Sequence, residues 1–113
     1  MASDSIFSKI IRGELPADKV FENERIVAFK DINPSAPIHI LIVPKKEIPD
    51  IQSVTAEDLP LIGEVVTVAQ TLAERFDITG GYRLLTNNGA SAGQTVYHLH
   101  FHLIGGRKLG ALA

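Results

Sequence analysis

The chain has 113 residues, a formal charge of −2 and no cysteine. That length fits one domain, expected over residues 1–113, with one modest core. The charge gives no general basic field to hold nucleic acid, and the missing cysteine excludes disulfides and thiolate metal sites. Met1–Ser5 is polar with no apolar signal region behind it, and the longest apolar run, Ile38–Val43, is broken by His39 and far too short for a bilayer. The expectation is a cytoplasmic protein with no membrane and no nucleic-acid partner.

In chain order, Asp4 or Ser5 caps a short helix with Ile6, Phe7, Ile10 and Ile11 on one face. Gly13 suits its end, and Pro16 follows. Strands are expected at Lys19–Glu24, Arg25–Ile32 and Ile38–Val43, the last two separated by the turn signal Asn33-Pro34-Ser35-Ala36-Pro37. Thr55–Phe76 carries a helical pattern, with either Thr55 or Asp58 as N-cap because Pro60 deletes an early intrahelical bond. One stripe of this helix is Leu59, Ile62, Val66, Ala69, Ala73 and Phe76; a second is Leu61, Val65, Val68 and Leu72. A single small sheet covers only one of them. The other is expected to pack on a second subunit, or else under the first helix or a loop. After Gly80-Gly81 come two more strands, Tyr82–Thr86 and Tyr97–Ile104, joined by the small-residue loop Asn87–Thr95. Most of these connections are too short for helical crossovers. The reading is an α+β fold, a five-stranded antiparallel sheet with two helices on one face.

All four histidines fall in two places, His39 on one strand and His98, His100, His102 on another. Residues i, i+2 and i+4 of a strand share a face, so the three form a row about 6.6 Å apart. Leu99, Phe101 and Leu103 then point into the core. A merely solvated face would carry mixed Thr, Lys, Glu and Ser rather than three imidazoles. Two chemistries remain open. A zinc ion needs its ligand nitrogens within roughly 4 Å of one another, which the outer two of the row do not meet; two of them with His39, as in His39, His98 and His100, could. Alternatively the row acts on a phosphate, since neutral imidazole is a good nucleophile and leaves well once protonated. The loop before it, longer than an ordinary hairpin connection, offers backbone N–H groups to an anion.

The run His98-Leu99-His100-Phe101-His102-Leu103-Ile104 resembles the signature of the histidine-triad (HIT) superfamily. Ile6–Glu14, Phe29–Ile32, Ala36–His39, Gly93–Tyr97 and Leu103–Arg107 are similar to its Hint branch, so the resemblance spans nearly the whole chain. It implies a homodimer that hydrolyses purine nucleoside phosphoramidates, such as adenosine phosphoramidate, to the monophosphate, with no cofactor required. Carried over by position, His100 is the nucleophile, His102 contacts phosphate and leaving group, and His98 and His39 orient the rings and help pass protons. Asn87, Gly93, Gln94 and Thr95 line the phosphate site, Thr95 standing where the branch often has serine. Asp31 accepts the ribose hydroxyls, although alone it also reads as a turn-initiating Asp. Ile6, Phe7, Ile10, Phe29 and Ile32 form the purine slot; without the resemblance all five read as core. Departures are Lys30 in place of a histidine, Ile26 and Glu47 in place of a cysteine and a histidine that bear on zinc, and a tail, Leu109–Ala113, without an aromatic end. The alternatives are a dinucleoside polyphosphate hydrolase of the same superfamily, a non-catalytic nucleotide-binding or interaction module, and a zinc enzyme.

Overall fold

The computed structural model describes residues 5–113. Ser5 caps helix α1 (Ile6–Ile11), its hydroxyl accepting the Ser8 N–H at 3.0 Å; Asp4 lies outside the described residues. Gly13 follows the helix at φ +77°, a left-handed turn that costs glycine no Cβ clash. Strands β1 (Lys19–Glu22), β2 (Ile26–Lys30) and β3 (Ile38–Pro44) follow, then α2 (Leu59–Arg75), β4 (Tyr82–Leu85) and β5 (Phe101–Gly105). All pairings are antiparallel, in the order β1-β2-β3-β5-β4. The α+β class, the five strands and the two helices agree with the sequence reading.

Of the two N-cap positions considered for the second helix, Asp58 is the one that directly precedes it, and neither Thr55 nor Asp58 makes a side-chain capping bond. Thr55 precedes a 3-10 turn, Ala56–Asp58, and α2 starts behind Asp58 with Pro60 in its first turn, where no N–H is missed.

The two helices do not share a face of the sheet, which corrects the expectation. Residues on β2 and β3 alternate: Ile26, Ala28, Ile40 and Ile42 pack with Val65, Val68 and Leu72 of α2. Val27, Phe29, Leu41 and Val43 pack with Phe7 and Ile10 of α1 on the opposite side. The central strands are therefore apolar on both faces. Apolar burial at about 25 cal/mol per Å² makes each face a separate contribution to stability. On α2 the sheet covers the stripe Val65, Val68, Leu72 together with Ala69 and Ala73, leaving Leu59 and Val66 exposed. Helix α1 packs across the sheet, so it does not cover them.

A second correction concerns the histidine strand. Regular pairing begins only at Phe101, and Tyr97–His100 approach it as an irregular segment. The backbone there is tied elsewhere: Leu99 N–H donates to the Ile48 carbonyl at 2.6 Å, in the connector after β3. Leu99, Phe101 and Leu103 do enter the α2-side core. Among the described residues no helix is long and apolar enough to cross a membrane.

Candidate functional site

Register sets the first contact. Leu41 pairs with His102 and His39 with Ile104, so His39 and His102 are diagonal neighbours on the α1 face of the sheet. Their rings meet, His39 Nε2 lying 2.9 Å from His102 Nδ1. The proton in that bond is assigned by the rest of the network. The Ser35 N–H donates to His39 Nδ1 at 3.0 Å, so that nitrogen is the acceptor and Nε2 carries hydrogen. His39 thus donates to His102 Nδ1, and the His102 proton sits on Nε2. Arg107 Nη2 holds the Ser35 carbonyl at 2.8 Å, fixing the turn that sets this chain of roles.

His100 is assigned in the same way. Its Nδ1 lies 2.7 Å from the His98 carbonyl, which only accepts. Nδ1 therefore donates, and Nε2 keeps its lone pair. Phe7 packs its ring edge-to-face on His100 at 4.8 Å, and Phe29 sits behind Phe7 at 5.6 Å. The rings of His100 and His102 are 5.2 Å apart.

The row does not extend to His98. That ring is fully buried, and its Nε2 donates to the Pro44 carbonyl at 2.7 Å. His98 braces the irregular segment against the end of β3 and presents its own carbonyl to His100.

Burial sets the electrostatics. Desolvation lowers His100 below the ordinary imidazole value, the His98 carbonyl opposing it. His102 is pushed down to about 4, first by burial and then by its neighbours His100 and His39. His39 is lowered by burial against the pull of Asp31. The site thus holds neutral imidazoles at neutral pH, the state in which a ring nitrogen has electrons to give.

His100 and His102 open on a cavity of about 610 Å³, large enough for a nucleotide. Of the sequence candidates it brings together Ile6, Phe7, Ile10, Phe29, Asp31, Ile32, Thr95, His100 and His102. Ile32 and Ile6 are exposed at its mouth, whereas Phe7, Ile10 and Phe29 are both core and wall. Asn87, Gly93 and Gln94 do not line it, nor do His39 and His98. Leu41 and Val96 were missed as wall residues. Leu41 was recoverable, since it lies two residues from His39 on one strand and so shares its face. Asp31 combines both of its readings: Oδ1 accepts the Asn33 N–H at 2.8 Å, and Oδ2 lies 3.4 Å from His39 Nε2.

The trio His39, His98 and His100, the ligand set of the alternative zinc reading, does not assemble, because His98 is turned to Pro44. Asp31, His39 and His102 instead each bring a donor atom within 4.8 Å of the others. The hydrogen bonding is poorly suited to a metal there. Coordination through His39 Nε2 needs a bare lone pair on that atom, which moves the proton to Nδ1 and sets it against the Ser35 N–H.

Sequence and structure comparisons place the fold among known proteins. Residues 12–109 match the HIT domain family. A purine nucleoside phosphoramidase of Escherichia coli is 49% identical, the match covering 99% of this chain and 95% of that one. A HIT-like protein of Synechocystis is 50% identical over 95% of this chain and 94% of its own. The solved structure of a HIT family hydrolase from Clostridium thermocellum superposes with a TM-score of 0.94 at 42% identity, over 99% and 98% of the two chains. With a family match across most of its length and the paired imidazoles in place, this chain belongs to the HIT domain family.

Proposed function

We propose that the chain is a hydrolase of purine nucleoside phosphoramidates that works through a nucleotidyl-histidine intermediate. One observation carries the reading: the His98 carbonyl holds the proton of His100 on Nδ1 and leaves the Nε2 lone pair free in a ring that lines the nucleotide-sized cavity. In the first step Nε2 bonds to phosphorus as the P–N bond breaks, its electron pair leaving with the amine. The ring becomes cationic, and the His98 carbonyl stabilises that charge. The amine takes up one proton. In the second step water attacks phosphorus, the ring departs neutral, and one proton returns to solution. His102, protonated on Nε2, donates to a phosphoryl oxygen or the departing nitrogen, oriented by His39. Asp31 takes the ribose hydroxyls, the apolar walls take the base, and Thr95 donates to the phosphate.

The scheme uses no metal or organic cofactor. A homodimer is part of the proposal, built on the exposed Leu59 and Val66 of α2, as is a cytoplasmic location. The relative from E. coli, by its name a phosphoramidase, supports this substrate over a dinucleoside polyphosphate. The test is turnover of adenosine phosphoramidate, with acid-free quenching and mass spectrometry to find an adenylyl group on His100. His100→Ala is expected to lose about 10³-fold in turnover while still binding AMP. A loss below about tenfold, or an adduct on another residue, overturns the assignment.

A further inference from the structure

Gln94 is polar, nearly fully buried and outside the cavity, yet every hydrogen on its side-chain amide is used. Nε2 donates to the Pro49 carbonyl at 2.8 Å and to the Val96 carbonyl at 3.1 Å, and Oε1 accepts the Gly89 N–H at 2.8 Å. Its backbone N–H bonds the Gly89 carbonyl at 3.0 Å. The amide has one orientation, since turning it over sets oxygen against two carbonyls and NH₂ against an N–H. Three pieces of chain meet on it: the connector after β3, the loop 87–95, and the segment that leads to the histidines. A second tie runs parallel, Gln52 N–H donating to Asn88 Oδ1 at 2.9 Å.

Thr95 stands between Gln94 and Val96, both held by this clamp. Among the described residues neither the Thr95 N–H nor its hydroxyl has a hydrogen-bond partner, and Thr95 lines the cavity with His100 and His102. Gly93, immediately before the clamp, sits at φ +101°, so the backbone enters it through a left-handed turn. The clamp therefore fixes the chain on both sides of Thr95 and leaves the two Thr95 donors open at the wall next to the imidazoles.

We propose that Gln94 is a positioning residue: its buried amide holds Thr95 so that two open donors meet the oxyanion of a nucleotide bound beside His100. The inference rests on the proposed nucleotide reading and adds to it the residue that sets the phosphate contact. It predicts that Gln94 acts on the phosphate and leaves the nucleoside alone, which a purely structural role does not.

The test compares AMP with adenosine by calorimetry, because the ratio of their affinities isolates the phosphate. In Gln94→Glu an ionised oxygen faces the Pro49 and Val96 carbonyls, and the clamp opens. The AMP-over-adenosine ratio is expected to fall about tenfold with adenosine affinity unchanged. Lowering the pH from 8 to 5.5 restores an O–H donor to the introduced carboxyl group and is expected to recover part of the ratio, relative to wild type at each pH. Gln94→Met, apolar and of similar size, serves if the first variant does not fold, and is expected to lose the ratio without any pH recovery. In wild type, AMP is expected to move the Thr95 amide resonance where adenosine does not. Unchanged ratios in the variants, or a Thr95 amide indifferent to AMP, overturn the inference alone. Wild-type protein that binds neither molecule overturns the functional reading, and this inference with it.

Discussion

Acid is the perturbation that the site's geometry makes quantitative. His102 titrates from an ordinary value of 6.5 down to about 4 in the folded chain, because burial and two neighbouring imidazoles disfavour its cation. The unfolded chain takes up that proton at higher pH than the folded one. The stability contributed by a neutral His102 is therefore fully present above about pH 6.5 and is lost as pH falls through about 4. The interval from 6.5 to about 4 corresponds to about 3.4 kcal/mol, at about 1.36 kcal/mol per pH unit. His102 retains some solvent contact, so about 2 kcal/mol is expected to be gone by pH 4.5. Other groups titrate in the same range, and His102→Gln removes the effect of this one while keeping an acceptor for His39. Guanidinium unfolding of both proteins at pH 7.5 and 4.5 reads the difference. Wild type is expected to lose about 2 kcal/mol more than the variant. Curves whose pH dependence agrees to within about 0.5 kcal/mol refute the argument that His102 is held neutral by its surroundings.

Two further outcomes follow from packing. Phe7→Ala removes a ring wedged between His100 and Phe29 and is expected to cost about 3 kcal/mol in denaturant unfolding while weakening AMP binding, because the same ring is core and cavity wall. Val66→Arg places a charge on the uncovered face of α2 and is expected to yield a folded monomer by light scattering if that face joins two subunits; a variant with the wild-type mass rules out that interface.

Much of the fold is local in origin and is written in the chain. Ser5 and Gly13 bracket α1, apolar runs rich in β-branched residues mark β2 and β3, and the turn before Ile38 is spelled by two prolines and an asparagine. Leu99, Phe101 and Leu103 face the core as their spacing requires. The histidine motif identifies the family from seven residues, because few other reasons exist to alternate imidazole with apolar side chains.

Other features depend on contacts between distant segments. Periodicity shows that a strand is apolar on both faces but not which helix covers each, so the placement of α1 opposite α2 emerges only when the sheet exists. The row of His98, His100 and His102 is regular in sequence and divides in space. Ile48 and Pro44 claim the Leu99 N–H and the His98 ring, and their carbonyls are invisible to any side-chain pattern. The same holds for the proton positions. The types His39, His100 and His102 are sequence facts, whereas the Ser35 N–H and the His98 carbonyl decide which nitrogen of each ring bears hydrogen. Residue identity thus supplied the imidazoles, and tertiary hydrogen bonding, made by backbone groups that every residue carries alike, decided which one has a lone pair to offer.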